Sequence, residues 1–328
     1  IMNRSKLRYI LLLAILNFVL GPQIYAQQIA NWSSFYENGF VWNPALTARW
    51  TSTSLSLTHQ KEWTGFEGAP QLSTVAFEFP FYKYGNLVRS SVGGYIEHDQ
   101  VGPFRKTGVA LTYGYHFTPQ LFGRKEDYLS LGFGINAGRY KFDPSRLTAF
   151  NGILVDPQLT EQSVTAIRPN VNIGIFYKSS AYYELESHYY IGFSVNQVVP
   201  GIIYKGLGLT NTPHATLHLG YRYFAERESD TYIEPNIMVI YAPAKAVHAM
   251  ANIRFEKLNK FWLSGGAATN GELFLQAGVI LDSESFIGSL VKDGALRIGT
   301  KADYMIGDFG RTAGIGYEVY MAYIFDRQ

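Results

Sequence analysis

Seven histidines are the side chains of this 328-residue chain best suited to metal or proton chemistry: His59, His98, His116, His188, His214, His218 and His248. Of these, His214 and His218 have a spacing that invites a metal. Four residues apart on a strand, they share a face yet stand ~13 Å from one another, which makes no metal site without further ligands. Both are expected to line a lumen or a loop. Serines and acidic residues are present, but no G-x-S-x-G element singles out a nucleophile, and the chain has no cysteine. The acidic stretch EHDQVGPFRKTG (97–108) carries turn chemistry between two strands and reads as a hairpin rather than a calcium loop. GLGLTNTP (206–213) has glycines but no strand-to-helix context to seat a phosphate. The expectation is therefore no catalytic residue, no cofactor, no metal, and no enzyme.

Composition points to the elements that hold these residues. Charged residues make up 16% of the chain, against roughly 25% in a soluble domain. Aromatics also reach 16%, with 24 Tyr and 22 Phe. Residues 1–26 read as a secretory signal peptide. Arg4, Lys6 and Arg8 precede an apolar run from Tyr9 to Leu20, Gly21 and Pro22 break it, and Ile24-Tyr25-Ala26 offers a cleavage site. Without that leader, 25 Lys and Arg stand against 26 Asp and Glu, a net charge of −1, which leaves no footprint for nucleic acid. An exported chain without cysteine has no disulfides to hold its fold. No later apolar run is long enough to span a bilayer as a helix. These features together fit an all-β outer-membrane barrel, which pairs every backbone group by closing on itself.

Period two supports this. In YLSLGFGINAGRY, Leu129, Leu131, Phe133, Ile135 and Ala137 share one face, and Ser130, Gly132, Gly134, Asn136 and Gly138 the other. ATLHLGYRY sets Leu217, Leu219, Tyr221 and Tyr223 against Thr216, His218, Gly220 and Arg222. Lipid suits the first face of each and a polar lumen the second. The same test predicts strands near 48–60, 71–82, 87–99, 105–117, 128–141, 166–178 and 188–198. Seven more are predicted near 213–225, 231–242, 246–257, 260–269, 273–282, 295–305 and 315–326. About fourteen antiparallel strands result, an even number that returns both ends of the sheet to the periplasm. Connections after odd strands then face outward. The longest, residues 143–164, carries Phe150, Ile153, Leu154 and Val155 and is expected to fold over the mouth and to contact cargo, together with residues 199–212. GRKED (123–127), ERESD (226–230) and EKLNK (256–260) are expected as solvated periplasmic turns.

Residues 27–47 precede the barrel, which is expected to occupy 48–328. Their Asn43-Pro44-Ala45 element is a fixed bend, because proline locks its own φ and drives the preceding residue out of the helical region. The segment is expected to plug the periplasmic end, anchored by Trp32, Phe35, Tyr36 and Trp42.

A succession of motifs then carries a family resemblance. QQIANWSSFYENGFVWNPALTA (27–48) resembles the start of the PorP/SprF family of type IX secretion system membrane proteins. HQKEWTGFEGAPQLSTVAFEFPF (59–81) is similar to that family's first loop, through Trp63, Gly65, Gly68, Ala69 and Pro70. DQVGPFRKTGVALTYGYHF, YYIGFSVNQVVPG, PHATLHLGYRY and FWLSGGAATNG continue the likeness in order. Gln60-Lys61-Glu62 departs from it, since members often carry Arg there. The resemblance implies a non-enzymatic barrel in the outer-membrane lipid. Such a barrel works with type IX secretion machinery on a cognate secreted cargo, such as a large gliding adhesin. The Asn-Pro-Ala element also resembles the hatch of FadL-type channels, which implies an alternative as a channel for hydrophobic small molecules.

Overall fold

Alternation along each strand decides which way the sheet curls. The computed structural model describes residues 35–49, 52–83, 87–121, 127–143, 164–180, 186–204, 209–225, 229–242, 246–285, 288, 291 and 293–325. The expected signal peptide, Trp32, and the stretch holding Phe150, Ile153, Leu154 and Val155 lie outside the described residues. The strands are β1 (Ser54–Lys61), β2 (Gln71–Lys83), β3 (Leu87–Val101), β4 (Phe104–Phe117), β5 (Tyr128–Phe142), β6 (Val164–Lys178), β7 (His188–Asn196), β8 (Gly201–Tyr204) and β9 (Leu209–Asn211). They continue with β10 (His214–Phe224), β11 (Thr231–Ala242), β12 (Ala246–Lys257), β13 (Phe261–Ala268), β14 (Glu272–Leu281), β15 (Gly294–Met305) and β16 (Ile315–Phe325). Fourteen of them close an antiparallel barrel, with β8 and β9 set apart as a small hairpin between β7 and β10. Closure comes from β1 pairing β16, from Ser54↔Ile324 to Lys61↔Tyr317.

All fourteen barrel strands fall where period two predicts them. On β1, Ser54, Ser56, Thr58 and Gln60 are buried inward, while Leu55 and Leu57 are exposed outward. On β16, Glu318, Tyr320 and Ala322 point in, and Tyr317, Val319 and Met321 point out. Outward Phe79, Phe81, Tyr115, Tyr189, Tyr221, Tyr223 and Phe261 gather at the end of the barrel where β1 begins, as an interfacial aromatic girdle does. One expectation moves. The first strand starts at Ser54 rather than near Ala48, because residues 44–48 turn inward and are buried, and Ala48 itself has φ of +57°.

Turn chemistry follows local need. Gly102 and Pro103 connect Val101 to Phe104 as a two-residue hairpin, with Gly102 at φ +54°, the left-handed region that glycine enters without strain. Asn259 takes φ +56° between β12 and β13, and asparagine is among the few other residues that visit this region routinely.

Ile237, in the middle of β11, points outward. Ile237→Arg is expected to destabilise the barrel by about 2–4 kcal/mol, whereas Ile306→Arg, just past the end of β15, costs about 1 kcal/mol or less. Urea refolding into bilayers, read by heat-modifiable gel mobility, checks this. Equal costs at the two depths would contradict a lipid-facing surface.

Candidate functional site

The barrel's inner face is polar, and residues 35–49 complete it. Phe35, Tyr36, Glu37, Asn38, Phe40 and Trp42 are buried against the wall, and so are Asn43 to Ala48. Asn43 is extended, at φ −139° and ψ 108°, as a residue before proline should be. Its Oδ1 accepts from Ala45 N at 2.9 Å and so caps the 3-10 turn Pro44–Leu46. The bend expected at Asn43-Pro44-Ala45 is therefore a helix cap. Asn43 Nδ2 also donates to the carbonyls of Ile175 (3.1 Å) and Phe193 (3.4 Å), on β6 and β7.

Glycines make this approach possible. A Cβ on Gly132 would lie 2.0 Å from Ala45 N, and one on Gly174 would lie 2.0 Å from Asn43 Oδ1. The wall of β5 and β6 thus has no side chain where the Asn-Pro-Ala element seats. Next to it, Thr47 Oγ1 bonds Thr112 Oγ1 at 2.9 Å, and Ser91 Oγ donates to Thr47 O at 2.9 Å. Ser91 also bonds His116 Nε2 (2.7 Å), whose Nδ1 bonds Tyr128 OH. A buried serine beside a histidine resembles part of a hydrolase. Here, however, the serine proton is committed to Thr47 O, so the chain of bonds acts as a latch on the segment.

Charge holds the other side. Arg254 Nη1 donates to Glu37 Oε1 at 2.7 Å, and its Nε and Nη2 reach Glu256 Oε2 at 2.9 and 2.7 Å. Arg297 Nη1 reaches Glu256 Oε1 at 3.2 Å. Tyr36 OH donates to Glu234 Oε2 at 3.0 Å and accepts from Arg222, which itself binds Glu234 at 2.7 Å. The Tyr36 ring lies between the Arg49 and Arg254 guanidiniums, each 4.3 Å from its centroid. Glu256 corrects an expectation. It is fully buried rather than part of a solvated turn, because it is the inward residue next to the end of β12. Lys257 and Asp230, which pair at 3.4 Å near the surface, do fit that expectation.

His214 and His218 both line the lumen, as expected, and His218 packs edge-on against Phe35 and Tyr190. Among the described residues, no cluster of His, Asp or Glu could hold a metal ion. Beside the segment, the cavity lined by Phe35, Trp42, Asn43 and His218 has about 10 Å³, roughly the room for one water.

At the far end, the loop between β1 and β2 carries Trp63, Gly65, Gly68, Ala69 and Pro70. Trp63, at φ +47°, sets its ring edge-on to Phe309 of the helix Asp308–Ala313, with centroids 5.2 Å apart. Gly65 N donates to Ala313 O at 2.7 Å, and a Cβ there would meet Thr312 O at 2.4 Å. Gly68, at φ +74°, accepts from Gly102 N, Ala69 is buried, and Pro70 O closes the loop on Glu62 N. Loss of water pushes the Glu62 carboxyl up to about 8, with Glu272, Asp303 and Asp99 adding to the effect and Lys301 opposing it.

Most of the residues that hold the segment escaped sequence reasoning. Arg222 alone is set on the lumen face by the alternation of β10; Arg254, Glu256, Arg297 and Glu234 sit on three other strands, and their signal was charge at inward positions.

The family described as type IX secretion system membrane protein PorP/SprF matches residues 24–323. No curated protein matches the chain. Among solved structures, the CymD monoaromatic hydrocarbon channel is similar at 9% identity, over 95% of this chain and 97% of that one, with a TM-score of 0.52. A FadL homologue from Pseudomonas aeruginosa aligns at 9% identity over 87% and 92%, with a TM-score of 0.46. The KdgM porin aligns at 8% identity over 83% and 99%, with a TM-score of 0.42. What is shared at such identity is the barrel fold, and the protein resides in the outer membrane.

Two outcomes check the site. Arg254→Met leaves Glu37 and Glu256 short of a buried partner and is expected to cost about 3–5 kcal/mol in urea refolding; a loss below about 1 kcal/mol would mean that water reaches the pair. Glu62 has a folded-state value of about 8, above its ordinary 4.5. The folded barrel therefore binds the extra proton, and stability falls as pH rises through that window. Glu62→Gln is expected to flatten this slope, and an unchanged slope would assign it to other groups.

Proposed function

The chain belongs to the PorP/SprF family of type IX secretion system membrane proteins, and from that premise we propose that it is a non-enzymatic outer-membrane partner of the secretion machinery. In this reading it assists export or surface attachment of one cognate cargo protein, of which a large gliding adhesin is an example. The family match over residues 24–323 carries the reading. The burial of residues 35–48 inside the barrel agrees with it, since they pack against the lumen wall. We assign that segment the role of a plug. The outer connections, including residues 143–164 and 199–212, are assigned to cargo.

A second reading, a channel for hydrophobic small molecules, has one observation in its favour. The β6–β7 ladder stops at Ile173↔Val195 although β6 continues to Val164. Beyond that point the regular ladder gives way to one backbone bond, Val198 N to Val171 O at 3.0 Å, flanked by Asn170 and Asn172 side chains that accept from the backbone of Val199 and Gln197. A ladder loosened in this way suits lateral exit, and the similar CymD structure is a monoaromatic hydrocarbon channel.

Deleting the gene and comparing the surface and secreted proteomes separates the readings. Loss of one large protein from the surface is the expected result; an unchanged surface proteome with slower uptake of hydrophobic solutes would favour the channel. For the plug, Thr47→Cys with Thr112→Cys gives a lock in a chain otherwise free of cysteine. Planar-bilayer conductance is expected to stay closed in the oxidised form, and removal of residues 27–47 is expected to open it. No opening on removal would refute the plug.

A further inference from the structure

The contacts that hold residues 35–37 have the form of a ligand in a receptor. Glu37 gives its carboxylate to two guanidiniums, Arg254 at 2.7 Å and Arg297 at 3.8 Å. Neither guanidinium is free to follow it. Trp262 lies beside both, 5.2 and 4.6 Å from its ring centroid, and Glu256 grips both from the wall. Without Glu37, this patch of wall keeps two arginines and one carboxylate, a net charge of +1 in a buried setting. An excess charge held rigid and away from water is a site for an anion, and paired guanidiniums suit a carboxylate best. The fit of the present occupant is incomplete, since Glu37 Oε2 takes no hydrogen bond among the described residues.

A second subsite lies one residue earlier. The Tyr36 hydroxyl enters the Arg222–Glu234 pair, and the Arg254 guanidinium covers the ring. Phe35 packs on His218. A free anion would satisfy the arginine pair and leave the aromatic subsite empty, so the two together select a peptide.

We propose that the lumen wall formed by Arg222, Glu234, Arg254 and Arg297 is a binding site for a peptide turn carrying an aromatic residue directly before a glutamate, the conformation that residues 35–38 adopt there. Residues 35–37 occupy it in cis, and a partner segment of the same chemistry takes their place. The inference rests on the plug reading in one respect: the segment must be able to leave.

The test uses the full chain in detergent and a labelled peptide, FYENGFVWNPAL, that copies residues 35–46. Thr47→Cys/Thr112→Cys supplies the lock, because the native hydroxyls, 2.9 Å apart, bring the two side chains into direct contact. In the reduced state, Glu37→Gln in the chain is expected to raise peptide affinity about tenfold by weakening the internal competitor. Oxidation is expected to abolish binding, and a peptide with Gln at the Glu37 position to bind about tenfold more weakly. Equal affinity for the Glu and Gln peptides, undiminished binding to the oxidised chain, or no binding to the reduced Glu37→Gln chain would each overturn the proposal. Conductance that responds to the lock without any peptide binding would leave the plug standing and remove the receptor.

Discussion

In hydrocarbon, a backbone N–H or C=O without a partner costs several kcal/mol, and there is no water to supply one. The pairing of β1 with β16 answers that constraint, because it leaves the sheet without an edge. Everything else in the molecule follows from the closure. Once closed, each strand has one face toward lipid and one toward the lumen. The outward residues must be apolar, and the inward ones are free to be polar only if they satisfy one another.

Residues 35–49 are where that last condition is met. The lumen wall presents Glu234, Glu256, Arg254 and Arg297 with almost no exposure to water, and Arg222 half-buried beside them. An apolar segment placed there would strand these groups, at a cost larger than its own burial could offset. The segment instead brings a carboxylate, a phenol, an amide and backbone carbonyls. Asn43 reaches β6 and β7, Ser194 Oγ and Asn196 Nδ2 donate to Trp42 O, and Asn38 bridges Ser56 and Thr58. Gly132 and Gly174 let the backbone come close enough for this to happen. Such a cluster is specific rather than simply adhesive, since misplacing one member leaves its partners buried and unpaired.

The barrel strands were legible because lipid imposes a period-two pattern that little else produces. Leu129 to Ala137 on β5 and Leu217 to Tyr223 on β10 face outward as the alternation requires. Legibility failed where a residue's environment depends on a different strand. Glu256, in the run EKLNK, reads as a turn residue in sequence, yet one step of register turns it onto Arg254 and Arg297. Ala48 looks like the start of a strand, but the inward turn around Pro44 delays β1 to Ser54. Ser91, His116 and Tyr128 come from three strands and carry no mark in the sequence of the bonds that join them.

By itself, the amino-acid sequence determined the architecture: a charge-poor, aromatic-rich chain whose alternation places fourteen strands in a closed outer-membrane barrel. It also determined the bend before Ala45, because proline restricts its own φ and its neighbour's. Only the tertiary structure decided what that bend is for. Asn43 caps a turn seated on strand glycines, and Tyr36 and Glu37 meet arginines roughly two hundred residues away in the chain. Periodicity is local, so it can be read along the chain. Charge pairing across a lumen depends on register and closure, and these exist only once the sheet has met itself.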